Sequence, residues 1–272
     1  MYLRGRPVTG LGRWPDTCVR AMAILYFKNK RNLVFYLLDA AVEGNLRVSI
    51  KTEFNLAISL GMNCQSRFHI SRVMWERSGN SPESFSLPSK DGDTFDYGSF
   101  FFDWTWMNDL AGVISLLKSR FQNSFDRDDF ELRMIDSEYE AFNRRYGLFF
   151  THAFHFDSNP HASFCEQFEA VKEKYTYLAE KTVSSMSKRN SILFVLCGPI
   201  DRGEFGSLFA VIHDTYQIDQ PMFLLCPFSN GPYKSSISFD NDHVLIRPID
   251  WERWPGSTTG WNNAFSGLTF QR

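Results

Sequence analysis

Cysteine is scarce in this chain and follows no metal or disulfide pattern. Its five residues, Cys18, Cys64, Cys165, Cys197 and Cys226, are odd in number and widely spaced, with no CxxC among them. That argues against a disulfide framework and against a zinc ribbon or finger, and it points to a reducing, cytoplasmic setting. Long apolar runs are also missing. Residues 21–38 are apolar at both ends, but Lys28, Lys30 and Arg31 divide them. Neither half approaches the ~18–20 residues of a membrane span, so no stable membrane insertion is expected. An excess of one charge is missing as well: 29 Lys and Arg face 31 Asp and Glu, for a net charge of −2. This argues against nucleic acid as a partner. The stretch Gly198-Pro-Ile-Asp-Arg-Gly203 sits between an apolar run and a helical pattern, a place where a phosphate can bind on helix N–H groups. It lacks both GxGxxG and the P-loop lysine, so no cofactor is expected.

What the chain has in quantity is aromatic rings, 16% of 272 residues, and 27 of them are Phe. Phe carries no polar handle, so most of these rings belong to a core. The length fits one large domain, or one medium domain with an extension. Charge separates the two. Residues 1–50 hold eight Lys or Arg and three Asp or Glu, a balance of +5, while the remainder stands at −7. Residues 1–50 are therefore read as a basic arm with few core contacts, and 51–272 as a single domain.

Hydrophobic period assigns the elements of that domain. The runs 55–60, 192–197, 222–226 and 244–249 are apolar along their length, as strands buried on both faces are. Helical patterns cover 66–77, 163–188 and 205–216. Trp106, Leu110, Val113, Ile114, Leu117 and Phe121 repeat as one helical stripe. Residues 138–146 read as a further helix and 148–156 as a strand. Apolar strands alternating with helices predict an α/β fold, a mostly parallel sheet covered by helices on both faces. The strands ending at Leu60 and near Phe154 are expected to be parallel neighbours.

Chemistry concentrates at two places. In Ile58-Ser-Leu-Gly-Met-Asn-Cys64 a strand ends at Gly61 and a helix follows at once. A thiolate at a helix N-terminus is stabilised by the dipole, which makes Cys64 a candidate nucleophile. The alternative is a small buried apolar residue. Three histidines crowd into His152-Ala-Phe-His155-Phe-Asp-Ser-Asn-Pro-His161. One of them can serve as a base, with Asp157 or Asn159 to orient it. A metal set of His152, His155, Asp157 and His161 is the weaker alternative, and no metal is expected. Phe100–Trp106 is an aromatic block read mainly as core. Trp251, Trp254 and Trp261 could instead form a sugar- or peptide-binding rim.

Three blocks in this order, Ser-Leu-Gly-Met-Asn-Cys64, Phe-Phe-Asp-Trp104 and Phe-Phe-Thr-His152-Ala-Phe, resemble a bacterial family described as papain-like cysteine peptidases. The resemblance spans roughly residues 55–265. It implies Cys64 as nucleophile and His152 as base, and it places Asp103, the aspartate of the FDW block, where it can orient a group in the site. It also raises an α+β, papain-like fold as the alternative. The chain departs from the family at Ala153, where the family has an aspartate, and at Phe101, where it has a proline. Either the site is impaired for want of that aspartate, or Asp157 substitutes for it. The expected function is a cysteine-dependent hydrolase or acyl transferase on a peptide, amide or thioester. The alternative is a non-catalytic carbohydrate-linked binding domain, with a glycan-linked partner and a structural Cys64.

Overall fold

The computed structural model describes residues 53–62, 64–77, 79, 99–107, 109–188, 191–232, 234–235, 237–239, 242–252 and 256–270. All of them belong to the unit Thr52–Arg272. The expectation for residues 1–50 lies outside the described residues.

The fold is mixed α/β. Strand β1 (Glu53–Phe54) leads at once into β2 (Leu56–Ser59). Helix α1 (Gln65–Arg77) and helix α2 (Ala111–Lys118) follow. Three strands come next: β3 (Phe130–Ile135), β4 (Glu138–Asn143) and β5 (Leu148–Phe149). The long helix α3 (Pro160–Lys188) precedes β6 (Ile192–Cys197), α4 (Arg202–Tyr216), β7 (Met222–Cys226) and β8 (Val244–Ile246). Helix α5 (Thr258–Ala264) and β9 (Thr269–Phe270) close the unit, with β9 paired in parallel to β1.

The apolar runs form a four-stranded parallel sheet in the order β2-β6-β7-β8. Every residue of β6 and β7 is buried, so both faces of the sheet are covered, as continuous apolar strands require. Ile58, Phe194 and Phe223 are register partners and share one face, where the Phe205 ring of α4 lies 4.9 Å from that of Phe223. Ser59 points the other way and meets Ser66 of α1. Helices α1 and α4 therefore cover opposite faces. Helix α3 buries Phe164, Phe168, Val171, Tyr175 and Leu178, one stripe at helical spacing, in the same core as Phe194 and Phe223.

Five expectations are corrected. Residues 138–146 hold no helix: β4 pairs antiparallel with β3 from Phe130↔Asn143 to Ile135↔Glu138. Asp136 and Ser137, both at positive φ (48° and 73°), form the two-residue turn that the twist of such a hairpin favours. The strand 148–156 shrinks to two residues, antiparallel to β4 in a separate three-stranded sheet. It is not a neighbour of β2, whose partner is β6. The stripe from Trp106 to Phe121 is helical only over Ala111–Lys118, because Trp106 is committed to a β-bridge with Phe149. The run 244–249 is a strand only to Ile246, with an isolated bridge from Ile249 to Phe228.

Candidate functional site

The turn after β2 is built by three residues of the first block. The Ser59 hydroxyl lies 2.6 Å from that of Ser66 and accepts from the Gly61 N–H at 3.3 Å, tying the strand end to the first turn of α1. Gly61 and Met62 both occupy the left-handed region, at φ 81° and 68°. A methionine there is uncommon and needs surrounding structure to hold it. The Cys64 carbonyl accepts from Phe68 N–H at 3.1 Å, so Cys64 caps α1 as expected.

Gly61 also brings the second block against the first. A Cβ at this position would collide with Met107 Cε and press on Thr105 Oγ1. Residues 102–107 therefore lie directly on the turn that carries Cys64, and the positive φ at Gly61 favours glycine. Gly61→Ala is expected to destabilise the protein by about 1–3 kcal/mol, from the positive φ and the displaced loop together. Urea unfolding checks this, and an unchanged midpoint would mean the loop does not rest on Gly61.

Asp103 anchors the second block from below. Its Oδ2 lies 3.2 Å from Arg67 Nε of α1 and accepts from the Phe100 N–H at 2.7 Å. Both partners of the ion pair are buried. Phe101 N–H donates to Thr182 Oγ1 of α3 at 3.1 Å. Phe100, Phe101 and Phe102 are core, as expected, but Trp104 and Trp106 are only partly buried and turn outward.

Those two indoles and Cys64 line a cavity of about 500 Å³. Its far wall is the β3–β4 hairpin, which contributes Ile135, Asp136, Glu138 and Glu140. Thr105 and Thr151 complete it. Ile135, Glu138 and Glu140 share one face of the hairpin, opposite to the face that buries Phe130 and Ala141. The cavity lies beyond the carboxyl end of β2, where open parallel sheets place their ligands.

Electrostatics in the cavity run against the dipole expectation. Burial pushes the Cys64 thiol up to about 11, so it is protonated at neutral pH despite its place at a helix N-terminus. Burial, and secondarily the Glu138 charge, lifts Glu140 to about 7. Arg133 stands directly opposite Glu140 in register, but its guanidinium is held by Glu131 and lies over the Phe142 ring. The folded state therefore holds the Glu140 proton more tightly than the unfolded chain does. The resulting stability is complete below the ordinary carboxylate range and is lost as pH rises through about 7. Glu140→Gln is expected to leave stability unchanged in acid. In mild alkali it should raise stability by about 1 kcal/mol, after allowance for solvent screening of a half-exposed group. Equal melting curves for the two proteins in alkali would refute this.

His152 follows Thr151 and sets its ring edge-on against Trp104, at 5.6 Å between centroids. Desolvation and then the neighbouring His155 charge lower its pKa from the ordinary 6.5, so it is neutral at neutral pH. Among the described residues no hydrogen bond or ion pair joins His152 to Cys64, Asp103 or Asp157. Asp157 is exposed and lies just before α3, accepting from Ser163 Oγ at 2.6 Å and Asn159 N–H at 2.8 Å. Those two bonds, the Ser163 hydroxyl first, hold its carboxyl below the usual range. Asp103 thus anchors the second block on α1, and Asp157 braces the turn that leads into α3.

The other candidates resolve as follows. Among the described residues no group of three or more His, Cys, Asp or Glu is placed to hold a metal ion. Asp201 caps α4 with its own carboxylate, accepting from the N–H groups of Gly203 at 2.7 Å and Glu204 at 3.1 Å, which occupies the donors a phosphate would use. Trp261 is fully buried and stacked on His69, so it forms no exposed rim, and Trp254 lies outside the described residues. Cys197 and Cys226 are buried register partners in the sheet, whereas Cys165 is exposed on α3. No helix among the described residues is long and apolar enough to cross a membrane. Compared with known proteins, the chain matches no family model, no curated protein and no solved structure.

Sequence reasoning missed Glu138 and Glu140. The available signal was the alternation Glu138-Tyr-Glu140-Ala, which sets two carboxylates on one face of a strand.

Proposed function

We propose that the Cys64 cavity is the active site of a cysteine-dependent hydrolase or acyl transferase related to the papain-like family that its three blocks resemble. The observation that carries this is the convergence of the blocks. Gly61, Thr105 and Trp104 pack the first two together, and the third sets Thr151 in the cavity wall and His152 on Trp104. Cys64 Sγ attacks the carbonyl carbon of an amide or thioester while its proton passes to His152. The backbone N–H groups opening α1 receive the oxyanion. Collapse of the tetrahedral intermediate expels the amine or thiol, which takes that proton, and leaves an acyl-thioester on Cys64. Water or a second acceptor then removes the acyl group.

A protonated thiol and a neutral imidazole are the resting forms that a general-base mechanism requires. The imidazole must come within hydrogen-bond reach of Sγ once substrate fills the cavity, a tightening common on substrate binding. The test is to incubate the protein with a panel of thioesters and activated esters and to locate the acyl group by mass spectrometry. Acylation at Cys64 that is absent in Cys64→Ser and slow in His152→Ala is the expected result. Acylation confined to Cys165 would refute the proposal.

A further inference from the structure

Among the described residues the cavity around Cys64 is lined by charged groups of one sign. Asp136, Glu138 and Glu140 supply three carboxyl groups, and no described Lys, Arg or His side chain lines it. Nearby cations are engaged elsewhere. Arg133 is paired with Glu131 and lies over Phe142, and Arg144 and Arg145 pair with Glu131 and Asp129. The indoles of Trp104 and Trp106, half-exposed, line the same cavity. Carboxylates beside indoles make a site for a cation: ring faces attract ammonium and guanidinium groups, and carboxylates neutralise them. A neutral sugar would use the rings but has no need of the carboxylates, and an anion is repelled.

We infer that this cavity selects substrates carrying an ammonium or guanidinium group, held by Glu138 and Glu140 of the hairpin and the Trp104 and Trp106 indoles while the reacting carbonyl lies at Cys64. The inference rests on the proposed function for the carbonyl but not for the cation. In a peptide or amide substrate the cation is a free α-amino group or a lysyl or arginyl side chain. At about 500 Å³ the cavity accommodates one such residue. Glu138 and Glu140 act as specificity residues: they set which acyl group is accepted and take no part in bond making.

Two measurements separate this inference from the function beneath it. The first is the rate at which native Cys64 is alkylated by three chloroacetamides that differ only in their tail. The tails are aminoethyl (cationic), hydroxyethyl (neutral) and carboxymethyl (anionic), and each rate is normalised to the urea-unfolded chain. The aminoethyl probe is expected to react about tenfold faster than the neutral one, and the carboxymethyl probe about tenfold slower, with the spread shrinking in high salt. In the variant carrying both Glu138→Gln and Glu140→Gln the three rates should converge. The second is indole fluorescence during titration with agmatine, with 1,4-butanediol as the neutral control. Agmatine is expected to change the emission and the diol is not, and Trp104→Phe should reduce the response. Equal alkylation by all three probes would overturn the cation site while leaving Cys64 a working nucleophile. Inert Cys64 with a retained agmatine response would support the cation site and remove the catalytic reading. Inert Cys64 with no agmatine response would overturn both.

Discussion

Replacing Asp103 by alanine is expected to lower the stability of this protein by about 3–5 kcal/mol, the usual consequence of stripping one partner from a buried ion pair. Arg67 would then stand almost fully buried without the carboxylate at its Nε, and the Phe100 N–H would lose its acceptor. The melting temperature should fall by on the order of 10 °C for a domain of this size. Asp103→Asn keeps an acceptor for Phe100 N–H and is expected to recover part of the loss. Pairing Asp103→Leu with Arg67→Met removes both charges together and should recover most of it. The series also separates two explanations of an inactive Asp103 variant. If Asp103 anchors the loop, activity and stability fall together and are rescued together by the double replacement. If it orients a catalytic group, activity stays lost when stability returns.

Replacing Cys64 by serine is expected to reduce acylation to the uncatalysed background with little change in stability, because the hydroxyl is isosteric and the site only partly buried. His152→Ala should slow acylation by about 10²–10⁴, the range a positioned general base supplies. His152 is exposed and rests against the Trp104 ring, so this variant should unfold at nearly the wild-type midpoint. Enzyme-like rates surviving either change would mean that the convergence of the three blocks is structural only.

The parallel sheet was legible because its strands carry their own signature. Ile192–Cys197 and Met222–Cys226 are apolar at every position, and the structure buries every position. Helix α3 was legible from its stripe. The hairpin was not, for two physical reasons. Its turn is Asp136-Ser137, without the glycine that usually marks positive φ at both central positions. The segment 138–146 also places Tyr139, Phe142 and Tyr146 at helical spacing, so both periods fit it, and pairing with β3 decided between them. Misreading the hairpin as a helix hid Glu138 and Glu140 from the cavity.

Of the site, the position of Cys64 at the start of α1 followed from the Gly61 turn. Its ionisation did not. The dipole argument treats the helix end as open to solvent, whereas Trp104, Thr105 and the hairpin enclose the thiol, and desolvation outweighs the dipole. The partner of Asp103 was hidden for a similar reason. Arg67 and Asp103 are 36 positions apart, and only the tertiary contact of the second block with α1 pairs them.

The most direct test is the pH dependence of Cys64 acylation by an activated ester, followed by mass spectrometry in wild type and His152→Ala. With His152 as base, the rate rises as the imidazole loses its proton below its ordinary 6.5 and is level above neutrality, long before the thiol ionises near 11. In His152→Ala the level region should vanish, leaving a rate that climbs about tenfold per pH unit through the alkaline range. The same climbing profile in both proteins would contradict the account, because the thiol would then react only by its own ionisation.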